Sequence, residues 1–263
     1  MGVRLREVPA AMGAAWVCEA LETFRQRPGL YLSAFGALTL LTLLLGLLGL
    51  VGQLLFGAMV PLSSLVFMMI VAWSIADRPE HRRLAATPFE PTPARRRGLA
   101  GLSALYCTGM LVVSVVAGLA AGDSMEPYVE AVRAYTVAGD MHAEMPAPPP
   151  QLLGAMGLLY GGLALLSMAL WHAPALVHWG GQGAAQALFS SLVAVWRTRG
   201  ALAVYFLGWL GLGFIVMAVA SVLVIVGLGV LALPLFFSAM MALGATYYVS
   251  LYFTFTGTFE LDD

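Results

Sequence analysis

From Gly200 to Phe259 the chain runs for 60 residues without one charged side chain. A bilayer's hydrocarbon core, about 30 Å thick, is crossed by roughly 20 apolar helical residues, so this stretch is long enough to cross twice. Gly29 to Ala76 is a second such stretch, 48 residues without a charge. The whole chain is built to match: 60% of its residues are hydrophobic, 10% are charged, and the mean hydropathy is +0.87. A soluble domain carries about 25% charged residues, so the supply here cannot coat a water-facing surface. That excludes a soluble enzyme, a disordered chain and a disulfide-stapled secreted module. The formal net charge of −1 lacks the basic excess of a nucleic-acid binder.

The expected fold is an all-α membrane protein of six transmembrane helices, a single integral membrane domain over residues 1–263. Gly46, Gly49 and Gly52 predict a turn that divides the first long run into spans near 29–49 and 54–76. The third and fourth spans fall near 99–121 and 152–173. Val226-Gly-Leu-Gly-Val230 turns the chain between the fifth and sixth. Met1–Arg27 has no early apolar core and does not read as a cleavable signal peptide.

All 13 basic residues are arginine. Six of them (Arg78, Arg82, Arg83, Arg95, Arg96 and Arg97) lie in the 77–98 loop, four precede span one, and Arg197 and Arg199 precede span five. The 122–151 loop has Arg133 alone against five acidic residues. Short loops rich in arginine stay cytoplasmic, so the first reads as cytoplasmic, the second as periplasmic, and both termini as cytoplasmic in the inner membrane of a bacterium. Within the periplasmic loop, Tyr128, Val132 and Tyr135 recur at helical spacing and predict a short amphipathic helix. Pro146, Pro148, Pro149 and Pro150 form a stiff lead into span four.

A two-fold pattern is visible along the chain. Phe24-Arg25-Gln26-Arg27 is echoed by Trp196-Arg197-Thr198-Arg199, 172 residues later, and Met68-Met69 by Met240-Met241 at the same offset. Pro61-Leu62 and Pro234-Leu235 match with one residue of slippage. Ahead of each arginine pair, apolar residues (Val17, Leu21, Phe24; Phe189, Val193, Trp196) recur at i, i+4 and i+7. Each unit, about 12–76 and 183–256, therefore reads as a cytoplasmic interfacial helix (12–25; 183–197), an Arg-x-Arg anchor and a transmembrane hairpin. Repeats that start on the same side are parallel.

Three segments carry a resemblance: Glu22-Thr-Phe-Arg-Gln-Arg-Pro28, Trp171-His-Ala-Pro174-Ala-Leu176, and Ala185 to Trp196. With them the chain resembles a family of multi-pass inner-membrane proteins of proteobacteria that has no established activity. The resemblance covers most of the chain except the 123–151 loop, and it implies the fold rather than any chemistry. Its pattern has an apolar aromatic where this chain has His172.

Ionisable residues inside spans mark proton relays, ion pathways and substrate sites. The six spans contain no Asp, Glu, Lys or Arg. Ser63-Ser64 and Ser190-Ser191 are serine-rich spots, but no His or acid falls at a plausible depth beside the first pair, and no catalytic residue is assigned. Cys18 and Cys107 read as small buried hydrophobes without companions at ligand spacing. His81 and His142 read as loop residues without partners. His172 and His178, with Pro174 breaking the helix between them, are expected to form a cytoplasmic interfacial belt with Trp171 and Trp179 rather than to ligate a metal or haem. Arg25, Arg27, Arg95, Arg96, Arg97, Trp196, Arg197 and Arg199 are the other interface anchors, and Arg95-Arg96-Arg97 can also hold anionic lipid head groups. Pro61, Pro174 and Pro234 mark helix breaks. Gly118-x-x-x-Gly122 and Gly157-x-x-x-Gly161 are candidate close-packing pairs. The 14 methionines read as adaptable filling. No cofactor or metal site is expected, and the partners are membrane lipids and a membrane protein. The function this points to is a non-catalytic accessory or scaffolding subunit. The alternative is a transporter, channel or lipid-handling protein for an uncharged or amphiphilic molecule, which needs no intramembrane carboxylate.

Overall fold

Charge and glycine punctuation set the element boundaries. The computed structural model describes residues 3–87, 91–138 and 145–261; Pro88-Phe89-Glu90 of the cytoplasmic connector, His142 and the acidic pair Asp262-Asp263 lie outside the described residues. In chain order the elements are β1 (Val3–Leu5), α1 (Met12–Gln26), α2 (Pro28–Gly46), α3 (Gly49–Ser74), α4 (Pro79–Ala85), α5 (Pro93–Ala121), a 3-10 turn (Gly122–Ser124), α6 (Met125–Ala138), α7 (Pro150–Ala169), α8 (Ala173–His178), α9 (Ala184–Arg197), α10 (Arg199–Ile225), α11 (Gly229–Thr258) and β2 (Phe259–Leu261). Among the described residues, six helices are long and apolar enough to cross a membrane. The two hairpin turns fall where the glycines predict them. Gly49 at φ 57° and Gly227 at φ 82° adopt backbone that a side chain would resist. Pro28 starts α2 in its first turn, where a missing N–H costs nothing.

The chain divides into two units. One comprises residues up to Ala104 together with those from Ala169. Within it α11 is the hub, packing on α1, α2, α3 and α10. Phe35 of α2, Phe67 of α3 and Tyr248 of α11 meet with ring centroids 4.8–6.4 Å apart. The Tyr205 and Ser250 hydroxyls bond at 2.6 Å between α10 and α11. The β1 and β2 strands pair antiparallel, Arg4 opposite Glu260, so the two described ends of the chain lie side by side.

The other unit, Leu105–Met168, is a helical hairpin with a short helix between its arms. Tyr128 of α6 packs on the cluster of Ala121, Leu152 and Ala155. Tyr128, Val132 and Tyr135 are half-buried, whereas Glu126, Glu130 and Arg133 are exposed.

The two segments read as interfacial helices are not alike. In α1 the apolar face is spent on protein: Val17 is buried against Gly208, and the Trp16 ring lies 6.3 Å from that of Tyr205. In α9 the small residues Ala187, Ser191 and Ala194 turn inward, leaving Phe189 and Trp196 69% and 70% exposed. The hairpins that follow differ too. Helix α2 has 19 residues and α10 has 27, so equal offsets from the arginine pairs do not reach equal depths. Met68-Met69 lies near the end of its returning helix, while Met240-Met241 lies less than halfway along α11. The paired methionines and prolines are therefore not structurally equivalent, and the likeness is limited to a short helix, an arginine pair and a hairpin.

Candidate functional site

Between Leu170 and His172 the helix is interrupted. Helix α7 ends at Ala169, and α8 restarts at Ala173 with Pro174 in its first turn. Pro174 thus opens a helix rather than bending one, the role its fixed φ and missing donor suit. All six residues of α8 are buried. Three side-chain hydrogen bonds fix the segment: Trp171 Nε1 donates to Thr254 Oγ1 (3.1 Å), Trp179 Nε1 to the Leu84 carbonyl (3.2 Å), and the His172 backbone N–H to Ser191 Oγ (3.0 Å). The His172 ring packs at 5.3 Å from Phe259 and 6.2 Å from Phe255, and neither of its nitrogens has a hydrogen-bond partner among the described residues.

This corrects the belt expectation. His172, His178 and Trp179 are buried, and Trp171 is half-buried. The indole donors find acceptors inside the protein, and that satisfies them where a head group otherwise would.

Beside this segment, α1, the α3–α4 connection and the end of α11 enclose a cleft of about 570 Å³. Trp16, Phe253, Phe255 and Phe259 supply an aromatic floor, and Arg6, Glu19, Arg78, Arg83 and Glu260 bring charge. Arg6 and Glu260 pair at 3.5 Å, with both side chains about half exposed. Glu19 is exposed at the mouth of the cleft, yet partial burial raises its carboxyl above the ordinary glutamate value; Arg78 pulls it back down and Glu22 adds to the rise. His81 Nδ1 and the Tyr252 hydroxyl are hydrogen-bonded at 3.0 Å. His81 therefore belongs to helix α4 and has a partner, which corrects its reading as an isolated loop residue.

Arg25, Arg27, Arg96, Arg97, Arg197 and Arg199 are exposed and Arg95 half-buried. The Arg199 guanidinium lies 4.9 Å from the Trp196 ring centroid, while Arg96 and Arg97 donate back to the Pro91 and Pro93 carbonyls. Pro61 and Pro234 do not break their helices, which corrects that expectation: Pro61 is buried within a continuous α3, and Pro234 lies within the first turns of a continuous α11. The glycine pairs need correcting. A methyl group at Gly118, Gly122, Gly157 or Gly161 would meet nothing within 4 Å, so these pairs do not hold the chain's own helices together. In that unit the close approaches are at Gly109, against Leu166, and Gly162, against Val113. The sequence alone does not reveal the cleft residues Glu19, Arg78 and Trp16, because they come from segments far apart in the chain.

No family model matches the chain, and no solved structure matches it. Among curated proteins it is similar to one of Burkholderia thailandensis named a probable inner membrane protein, 27% identical over 263 residues, a match covering 99% of this chain and 96% of that protein. This agrees with the resemblance read from the three segments above. With its six spans, the chain is a multi-pass inner-membrane protein.

Proposed function

We propose that the protein is a non-catalytic accessory or scaffolding subunit that works by holding other membrane proteins, with both described ends and the 77–98 loop cytoplasmic and the 122–151 loop periplasmic. The observation that carries this is the bareness of the far half of the α10–α11 hairpin. Of the 27 residues of α10 only Ala201, Leu202, Tyr205 and Trp209 are buried, all in its first eleven positions; in α11, Ala232 is the one buried residue before Ala245. Lipid tails are as apolar as leucine, so helices associate in a membrane through close packing of small residues rather than by escaping solvent. The bare stretch holds unpacked small residues for that purpose, including Gly211, Gly213 and Gly229.

A further feature supports association over catalysis. Ser191 receives the backbone N–H of His172, not an imidazole nitrogen, so the pair lacks the hydrogen bond that activates a nucleophile.

Photo-crosslinking groups placed at Phe214 and Phe237, both largely exposed, test the reading in intact membranes. A discrete protein adduct at these positions, absent when the group replaces buried Tyr205, is the expected result. Lipid adducts alone at both sites overturn it.

A further inference from the structure

The cleft carries charge that the fold offsets only in part: Glu19 and Arg78 line the same space without forming an ion pair among the described residues. Arg6 and Glu260 satisfy each other. Arg78, just beyond the end of α3, is half-buried, and among the described residues its guanidinium makes no hydrogen bond and no ion pair. A partly desolvated cation of this kind is costly unless an anion joins it. Glu19 of α1 lines the same space, above an aromatic floor that includes Trp16, Phe253 and Phe255. A carboxylate next to aromatic faces suits an ammonium group. The Trp16 indole nitrogen, buried on that floor, also has no acceptor among the described residues. Both side chains line this one cleft. A ligand that answers both therefore carries a negative and a positive group on a short tether. The volume is in the range of small-ligand sites, roughly 300–1,000 Å³. The cleft also lies where α3 and α11 end, at Ser74 and Thr258, the level at which head groups meet a chain with these spans.

We propose that this cleft binds a phosphoethanolamine headgroup, with its phosphate at Arg78 and its primary ammonium at Glu19 over the aromatic floor. The assignment is independent of the association reading, since it uses neither the α10–α11 hairpin nor a protein partner. Glu19 is the selective element. It favours an ammonium that can donate hydrogen bonds over a choline that cannot, and over a phosphodiester with no cation at all.

Native mass spectrometry of the full chain in detergent tests this, using phosphatidylethanolamine, phosphatidylcholine and phosphatidylglycerol of identical acyl chains. The ethanolamine lipid is expected to bind about tenfold more tightly than the other two, the effect of a single additional charge-assisted hydrogen bond. Arg78→Gln weakens the ethanolamine and glycerol lipids alike by about tenfold. Glu19→Gln weakens only the ethanolamine lipid and leaves or raises the glycerol lipid. Thermal unfolding of each variant without lipid checks that it is folded. Displacement of bound lipid by free phosphoethanolamine identifies the headgroup alone as the ligand; failure to displace identifies the whole lipid, and both uphold the site. Equal binding of the three lipids by the unmodified chain overturns the proposal whatever the variants do. So does a Glu19→Gln chain that keeps the ethanolamine preference.

Discussion

The carboxyl at position 19 is pulled two ways, raised by burial and lowered by Arg78, and burial wins. Its folded-state value therefore lies above the unfolded one. A raised acid contributes stability that is fully present below the unfolded value, about 4.5, and lost as pH climbs through the folded value. Glu19→Gln, which mimics the protonated form, should raise the unfolding temperature at pH 7 by a few degrees at most, because part of the group stays in contact with solvent. The gain should fade as the pH approaches 4.5; a constant gain across that range would show that burial is not its source. The buried Tyr205–Ser250 hydrogen bond is a second measurable case. Deleting it with Tyr205→Phe should cost about 0.5–1.5 kcal/mol, nearer the lower figure because interhelical bonds in membranes average about 0.6 kcal/mol. Denaturant titration in mixed micelles reads the difference. Neither residue stands out in the sequence: Tyr205 is one aromatic among many, and Glu19 one charge on a mixed helix, until α11 brings Ser250 to the first and the α3–α4 connection brings Arg78 to the second.

Glycine shows what the pattern of an element reveals and what it hides. The spans and turns are legible because charge and glycine punctuate them: Gly49 and Gly227 mark both hairpins, and Pro28 and the arginines mark the ends. Which glycines carry contacts is not legible. A uniformly apolar helix has no polar stripe to show its outer face, so Gly118-x-x-x-Gly122 and Gly157-x-x-x-Gly161 look as suited to packing as any, yet face open space. Two glycines that do carry contacts stand alone in the sequence. A methyl group at Gly13 would lie 2.0 Å from the Ala201 carbonyl oxygen, and one at Gly257 2.2 Å from Trp16 Nε1. Gly13→Ala and Gly257→Ala should each cost about 1–3 kcal/mol or more. Gly157→Ala should be neutral or slightly stabilising in the isolated chain, since alanine is the better helix former. Thermal unfolding in detergent orders the three; a loss at Gly157 equal to that at Gly257 would contradict the packing described. The inward turn of α8 is hidden for a related reason. Trp, His and Pro serve equally at a membrane interface and in a core, and only the acceptors at Leu84, Thr254 and Ser191 decide between them. The repeat fades beyond the arginine pairs because offsets along a chain do not count the extra length of α10, 27 residues against 19 in α2.

At the scale of the whole molecule, the proposed sidedness rests on two independent observations. The β1–β2 pair holds the two described ends together, so they lie on one side of the membrane whatever the number of crossings, and that number must be even. The arginines choose the side: six in the 77–98 loop against one in the 122–151 loop, and short arginine-rich loops remain in the cytoplasm. Reporter fusions at residue 3 and residue 261 should therefore both read as cytoplasmic, and insertions at Val129 and Gly227 as periplasmic. Opposite readings at the two ends would break the strand pair as well as the topology. Reversing Arg25 and Arg27 to Glu sets these two observations against each other. The reversed charge favours moving the segment before α2 across the membrane, yet that move would strip α1 from α10 and α11, exposing Trp16 and Val17 and unpairing β1. Packing of that extent outweighs two exposed charges, each worth about 1 kcal/mol near an anionic surface. Molecules that assemble should keep the native sidedness, and the damage should appear as a lower yield of inserted protein, because the arginines act during insertion, before α10 and α11 exist to hold α1. An inverted residue-3 reporter on stably accumulated protein would show instead that the arginines, and not the packing of α1, hold this end in place.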